Sequence, residues 1–229
     1  HDVVIESPRH DRSILDIDAV AWGDVWSLCR QRLAVAAGLE SLAWATVFKN
    51  SGPRAGASLE HVHSQIVGLD VVPPAIDAEV AALRRDAATF PRLCDAAAAG
   101  RRIVAERGDL VAFVPPAPRQ PYETWIVAVH PEPYFHAATS ARVAAIADLT
   151  RDLVARLERL APGCHYNWWL HQAPYPRSLN DDRIVASWHW HLEIVPRLSE
   201  FAGFEIGTGC HITTRSAEES ARMLRAAVG

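Results

Sequence analysis

Two stretches of the chain put histidines at alternate positions and end on a carboxamide or a carboxylate: His61-Val62-His63-Ser64-Gln65 and His189-Trp190-His191-Leu192-Glu193. On a β-strand, side chains alternate between faces, so His61, His63 and Gln65 share one face and Val62 and Ser64 the other. Three polar groups on one face are costly to bury without a purpose. A neutral imidazole nitrogen is a good nucleophile toward phosphorus when its partner nitrogen is held as a donor. Gln65 can donate an amide N–H to a phosphoryl oxygen as negative charge builds there. It cannot shuttle a proton, which suits a phosphate or sugar-phosphate leaving group better than an alkoxide or amine. The competing reading of a His-x-His pair is a metal site. Just upstream, the loop amides of Gly56-Ala57-Ser58 could turn toward phosphate oxygens. In the second run, His189, His191 and Glu193 share a strand face, and at least two could reach one ion; a hydrogen-bonded polar cluster is the alternative.

Positioning these groups falls to a pattern that occurs twice. Residues 3–5 read as a strand, 18–37 as an amphipathic helix closed by Gly38, 43–48 as a strand and 50–58 as a Gly/Pro loop before the first histidine run. Residues 123–129 then read as a strand, 141–160 as a helix, 166–170 as a strand and 173–182 as a loop before the second run on a strand over 188–195. Strand, helix, strand, loop and histidine strand thus repeat, the mark of an internal duplication. The expected fold is α+β: two duplicated halves, an antiparallel sheet and packed helices. The halves divide into residues 1–80, the catalytic half, and residues 81–229, the second half with a C-terminal tail. Between the two runs, 75–88 reads as a helix and 103–114 as a hairpin turning at Gly108-Asp109. In the tail, Ser216 and Glu219 form a capping box.

Bulk properties narrow the class. The 229 residues are 49% hydrophobic and 22% charged, ordinary for a globular protein. A net charge of −4 and a pI near 6.3 give no broad grip on nucleic acid. No apolar run suits a membrane span. Four scattered cysteines fit thiols in a reducing cytoplasm. The chain starts at His1 with residues that already read as strand, so a preceding segment is expected.

In these runs the chain resembles the histidine triad superfamily, specifically its galactose-1-phosphate uridylyltransferase branch. The resemblance rests on Phe48-Lys49-Asn50-Ser51-Gly52, Gly56-Ala57-Ser58, His61 to Gln65, and the opening His1 to His10. It continues through Pro121-Tyr122-Glu123-Thr124-Trp125 to Gly203-Phe204-Glu205-Ile206-Gly207-Thr208-Gly209-Cys210. It implies a ping-pong nucleotidyltransferase of galactose and nucleotide-sugar metabolism. His63 would attack the α-phosphorus of a nucleotide sugar and expel the sugar 1-phosphate, and a second phosphate acceptor would then take the nucleotide. Ser58 and Gln65 would hold phosphate oxygens, Asn50 with Gly56 would line the nucleotide site, and Glu205 would bind a sugar hydroxyl.

The resemblance also implies metals and partners. His10 and His61 match two of four ligands of a structural zinc whose cysteines would lie before His1, so the site is incomplete in this chain. Glu79, His171 and His191, with Glu193 where the family often has histidine and His189 as a neighbour, match a second metal site for zinc or iron. A homodimer is expected on the same ground. The tail and Val71-Val72-Pro73-Pro74 are similar to the ADP-glucose phosphorylases, which makes a phosphorylase using inorganic phosphate the nearest alternative. A nucleotide- or metal-binding module without turnover is the alternative from another class. Trp168, Trp169, Trp188 and Trp190 read as core packing, Asn180 to Arg183 as a polar loop, and His165 as a residue without a role.

Overall fold

The computed structural model describes residues 1–228. One eight-stranded antiparallel sheet runs through the whole molecule in the order β1-β3-β2-β7-β8-β6-β5-β4. The strands are β1 (Asp2–Ile5), β2 (Trp44–Ser51), β3 (His63–Leu69), β4 (Ile103–Arg107), β5 (Leu110–Phe113), β6 (Thr124–Ala128), β7 (Tyr166–His171) and β8 (His191–Pro196). The helices are α1 (Ala19–Ala37), α2 (Pro74–Arg85), α3 (Thr89–Ala99), α4 (Ser140–Leu160), α5 (Asp182–Ser187), α6 (Gly203–Thr208) and α7 (Ala217–Ala226).

The duplication is written in the strand order. β1-β3-β2 is followed by β7-β8-β6, the same arrangement turned about the seam where β2 meets β7. The registers locate the pseudo-twofold. Phe48 lies opposite Trp169 across the seam, Phe48 opposite Gln65 within the first half, and Trp169 opposite Glu193 within the second. The rotation therefore exchanges Gln65 with Glu193, His63 with His191, and Asn50 with His171. The second half alone carries an additional hairpin, β4–β5, outside β6.

One face of the sheet is closed by α1 and α4, which also pack on each other. Asp18 caps α1 by accepting from the Ala21 N–H, and Thr139 caps α4 by accepting from the Arg142 N–H. The buried stripe of α1 is Trp22, Val25, Trp26, Cys29, Leu33 and Ala36. Val20 and Leu28, which the periodicity also assigns to the stripe, are exposed. Trp22 and Trp26 outrank them because each aligns its indole N–H with Thr150 Oγ1, at 3.0 and 3.3 Å. Trp168 and Trp190 lie in the same core and Trp188 in the one on the opposite face. All three are the core residues the sequence suggests. Trp169 belongs to neither cluster. It is partly exposed on the face away from α1, with the Arg119 guanidinium 5.0 Å from its ring.

On the second face, α2, α3 and α5 cover the β5, β6 and β8 end of the sheet through Ile76, Val80, Leu83, Phe90, Ala97 and Ile184. His63 and Gln65 project from the β3 part of that face, while α2 reaches as far as β7 through the contact of Glu79 with His171. Among the described residues, no helix is long and apolar enough to cross a membrane.

Candidate active site and metal centre

The strand bearing the first histidine run begins at His63, two residues later than the alternation suggests. Val62 and Ser64 turn into the sheet's helix-covered side, and Val62 joins that core. His61 stands before the strand, where its Nε2 donates to the Ser7 carbonyl at 2.8 Å. His63 is buried, and its Nδ1 lies 2.8 Å from the His61 carbonyl oxygen. A carbonyl can only accept, so Nδ1 carries the proton and Nε2 the free lone pair. The backbone of the His-x-His run thereby sets the tautomer that a nucleophile requires.

Beneath His63 lies a buried ion pair. Lys49 Nζ is 2.6 Å from Glu6 Oε2 and donates to the His63 carbonyl at 2.8 Å. Ser64 Oγ donates to the other Glu6 oxygen at 2.5 Å. Burial pushes the Lys49 ammonium below its ordinary range, and Glu6 pulls in the opposite direction. Neither Glu6 nor Lys49 carries a signal that spacing alone could reveal.

The loop after β2 is built on two glycines with positive φ, Gly52 and Gly56, which bracket the short 3-10 turn Pro53–Ala55. Asn50, Ser51, Gly52, His61 and His63 line a small hollow. A cavity of about 600 Å³ adjoins it, lined in part by Ser51, Gly52, Ser58, His165 and Tyr166. Ser58 is exposed at the rim, and Gln65 Oε1 is 2.9 Å from His1 Nε2. Arg54 faces outward to Glu200. Glu205 does not line either space. Its carboxylate accepts from the Ala202 and Ile212 N–H groups on the exposed α6 segment.

Of the metal candidates, Glu79, His171, His191 and Glu193 each bring one ligand atom within 4.8 Å of the others. His171 Nδ1 is 2.5 Å from Glu79 Oε1, and His191 Nε2 is 3.6 Å from Glu193 Oε1. His191 Nδ1 donates to the His189 carbonyl at 3.1 Å, so Nε2 faces the cluster with its lone pair. That Nε2 and Glu79 Oε2 are buried without a hydrogen-bond partner. Burial would lower the His191 pKa, but Glu79 and Glu193 outweigh it and raise it. Glu193 shows the complementary effect: burial opposes its ionisation, yet its bond with His191 and the nearby Arg119 hold it at about 2. Two imidazoles and two carboxylates converging in this way form a group that could hold a metal ion. His189 is not part of it; its Nδ1 donates to the Ala128 carbonyl at 2.6 Å, and its ring packs on Phe90.

His10 and His61 stand edge to face, with ring centroids 5.3 Å apart. With Nε2 of His61 given to Ser7, its Nδ1 is the ligand atom that remains. Two histidines are half of a structural zinc site. Of the expected loop Asn180 to Arg183, only Asn180 and Asp181 lie in one; Asp182 and Arg183 open α5, which Asp181 caps by accepting from the Ile184 N–H.

The two clusters are the two copies of one design. Asn50, His63 and Gln65 become His171, His191 and Glu193 under the pseudo-twofold. Three strand spacings separate β3 from β8, about 14 Å. A carboxylate at 193 repels phosphate and attracts a cation, while the carboxamide at 65 does neither.

Known proteins agree with this architecture. The family model described as "domain of unknown function (DUF4921)" matches residues 38–227. ADP-glucose phosphorylase from Arabidopsis thaliana is 32% identical over 226 residues, 98% of this chain and 64% of that protein. Galactose-1-phosphate uridylyltransferase from Thermotoga maritima is 29% identical over 196 residues, 78% of this chain and 58% of that protein. The chain thus spans less than two thirds of the length of either relative. The crystal structure of the Arabidopsis ADP-glucose phosphorylase with bound ADP-glucose superposes with a TM-score of 0.89 at 32% identity, covering 97% of this chain and 71% of that one. The resemblance and the duplicated α+β fold expected from the sequence are both borne out. The chain belongs to the DUF4921 family, within the galactose-1-phosphate uridylyltransferase-like proteins of histidine-triad fold.

Proposed function

We propose that this chain carries a nucleotidyl-transfer site whose nucleophile is His63 Nε2. The observation that carries the reading is the Nδ1–H bond from His63 to the His61 carbonyl, which in the neutral ring puts the lone pair on Nε2. Its lone pair attacks the α-phosphorus of a nucleotide sugar. The N–P bond forms as the P–O bond to the sugar phosphate breaks, and the electron pair leaves with that phosphate. No proton moves, because Nδ1–H stays on the ring and its bond to the carbonyl steadies the imidazolium. Gln65 and Ser58 serve the phosphate oxygens, and Asn50 and Gly56 line the site. A phosphate oxygen of the acceptor then reverses the step and frees His63. The acceptor is a sugar 1-phosphate or inorganic phosphate; the greater identity to the ADP-glucose phosphorylase favours phosphate.

Residues 1–80 form the catalytic half in this reading, and the metal centre joins its Glu79 to His171, His191 and Glu193 of the remainder. Glu79, His171, His191 and Glu193 would hold a cation there, and its charge would offset that of the two carboxylates where α2 meets β7 and β8.

The test is intact mass after incubation with ADP-glucose and with UDP-glucose. A nucleotidyl adduct on the wild type, absent from His63→Ala, is expected. Discharge by phosphate but not by a hexose 1-phosphate marks a phosphorylase. The absence of an adduct from either nucleotide sugar would overturn the reading.

A further inference from the structure

Asn167 lies in β7, in the half that lacks the Gly-x-Ser loop, and reaches across the seam into the half that has it. Its Nδ2 is 2.7 Å from Asn50 Oδ1 and 2.8 Å from the Ala55 carbonyl oxygen. A backbone carbonyl only accepts, so the Asn167 atom facing it is the amide nitrogen, and both its hydrogens are used. The Asn50 atom meeting the second hydrogen must then be its oxygen. Asn50 is left to offer Nδ2, which sits beside Gly56, 3.9 Å from where a Cβ there would stand. Two residues earlier, just before β7 begins, His165 Nδ1 accepts from the Arg54 N–H at 3.0 Å. Its ring fills the space that a side chain on Gly52 would need.

We propose that Asn167 is a positioning residue of the nucleotidyl-transfer site. It sets Asn50 as a donor toward the phosphate oxygens of the substrate, while His165 seats the loop that carries Gly56 and Ser58. The proposal rests on the function argued above. It also gives the second half a share in the first half's chemistry through β7 and the residue that precedes it. Asn167 serves the loop, and His171, four residues on and about 13 Å away, serves the metal centre.

A carboxylate at position 167 cannot donate. In Asn167→Asp the Asn50 amide turns to give its Nδ2 to that carboxylate, and its oxygen then faces the incoming phosphate. Four proteins test this: wild type, N167D, N50A and N50A/N167D. Single-turnover loading with ADP-glucose and UDP-glucose is the first readout. N167D should slow loading about ten- to hundredfold, and in the N50A background the same substitution should change it less than about twofold. Equal slowing in both backgrounds would show that Asn167 acts through the Ala55 carbonyl alone and would overturn the proposal. N167A, which frees Asn50 without reversing it, replaces N167D if the latter does not fold. It should slow loading less, with the same dependence on Asn50. The second readout needs no activity. An NMR contact between the Asn50 side-chain amide and the Gly56 Hα should be present in the wild type and lost in N167D. Its persistence in N167D would refute the proposal even if no nucleotide sugar loads the wild type, an outcome that would separately refute the functional reading.

Discussion

Removing the Lys49 ammonium while keeping Glu6 should destabilise the protein more than any conservative core change. Both side chains are out of solvent, at 2% and 0% exposure, and their 2.6 Å contact is the main partner of each charge. Lys49→Met leaves Glu6 with only the Ser64 hydroxyl, and it strips the His63 carbonyl of its donor. An uncompensated buried charge of this kind costs about 3–5 kcal/mol. For a chain of this size each kcal/mol lowers the melting temperature by about 2–4 °C, so a fall of roughly 6–20 °C is expected. The double variant E6Q/K49M removes both charges while preserving an acceptor for Ser64. It should recover at least half of the loss. Urea unfolding at pH 7 followed by circular dichroism measures all three proteins. If K49M unfolds within about 1 kcal/mol of the wild type, or if the double variant is no more stable than K49M, the pair is not a structural keystone and the reasoning fails.

Three further outcomes follow from the same geometry. After dialysis against zinc, E79A and H191A should lose the metal that the wild type retains, by elemental analysis, and H189A should keep it; loss in H189A equal to that in H191A would count against the four-ligand cluster. Gly52→Ala combines a φ of +84° with a Cβ placed 2.2 Å from the His165 ring. It should cost at least about 1–2 kcal/mol, and adding His165→Ala should return the steric part, read by thermal melts. Asp109 is held below its ordinary pKa of 3.8, chiefly by the hydrogen bond from Arg142. A depressed carboxylate stabilises the fold above its unfolded pKa and loses that stabilisation as pH falls through the folded one. The group is a third exposed, so the effect is below about 1 kcal/mol; D109N should lower the stability at neutral pH by up to that amount and leave it unchanged below the folded pKa, which flattens the acid limb of the stability curve.

Much of this was legible in the chain because the groups involved follow strong periodicities. α1, α4 and the two histidine strands announce themselves by caps and by alternation, and the repeat of their order reveals the duplication. α3 is hidden by Pro91, which sits in the first turn, where its missing N–H costs nothing. α5 is hidden because six residues carry too little pattern, although Asp181 caps it. The strand of the second run is expected from Trp188 but begins at His191. Trp188 and Trp190 instead leave the ladder to bridge with Glu132, whose carboxylate accepts from the Trp190 indole at 2.6 Å. His189 leaves the metal cluster for the same reason: it precedes the strand, so alternation does not govern it. Glu6, Lys49, His165 and Asn167 act through contacts far apart in sequence or across the seam, and no spacing rule reports such partners.

The seam between β2 and β7 has a consequence for the integrity of the molecule. Neither half could be separated from the other as a soluble unit, since each would bare a full row of unpaired backbone N–H and C=O groups along a strand that is largely buried in the whole. A break in the connection through α2 and α3 would therefore leave two polypeptides held as one particle. The loop from Gly52 to Gly56 would still rest on His165 and Asn167 of the other fragment. Here the second copy acts as a chaperone that never leaves: it supplies the edge against which the first copy is held in shape.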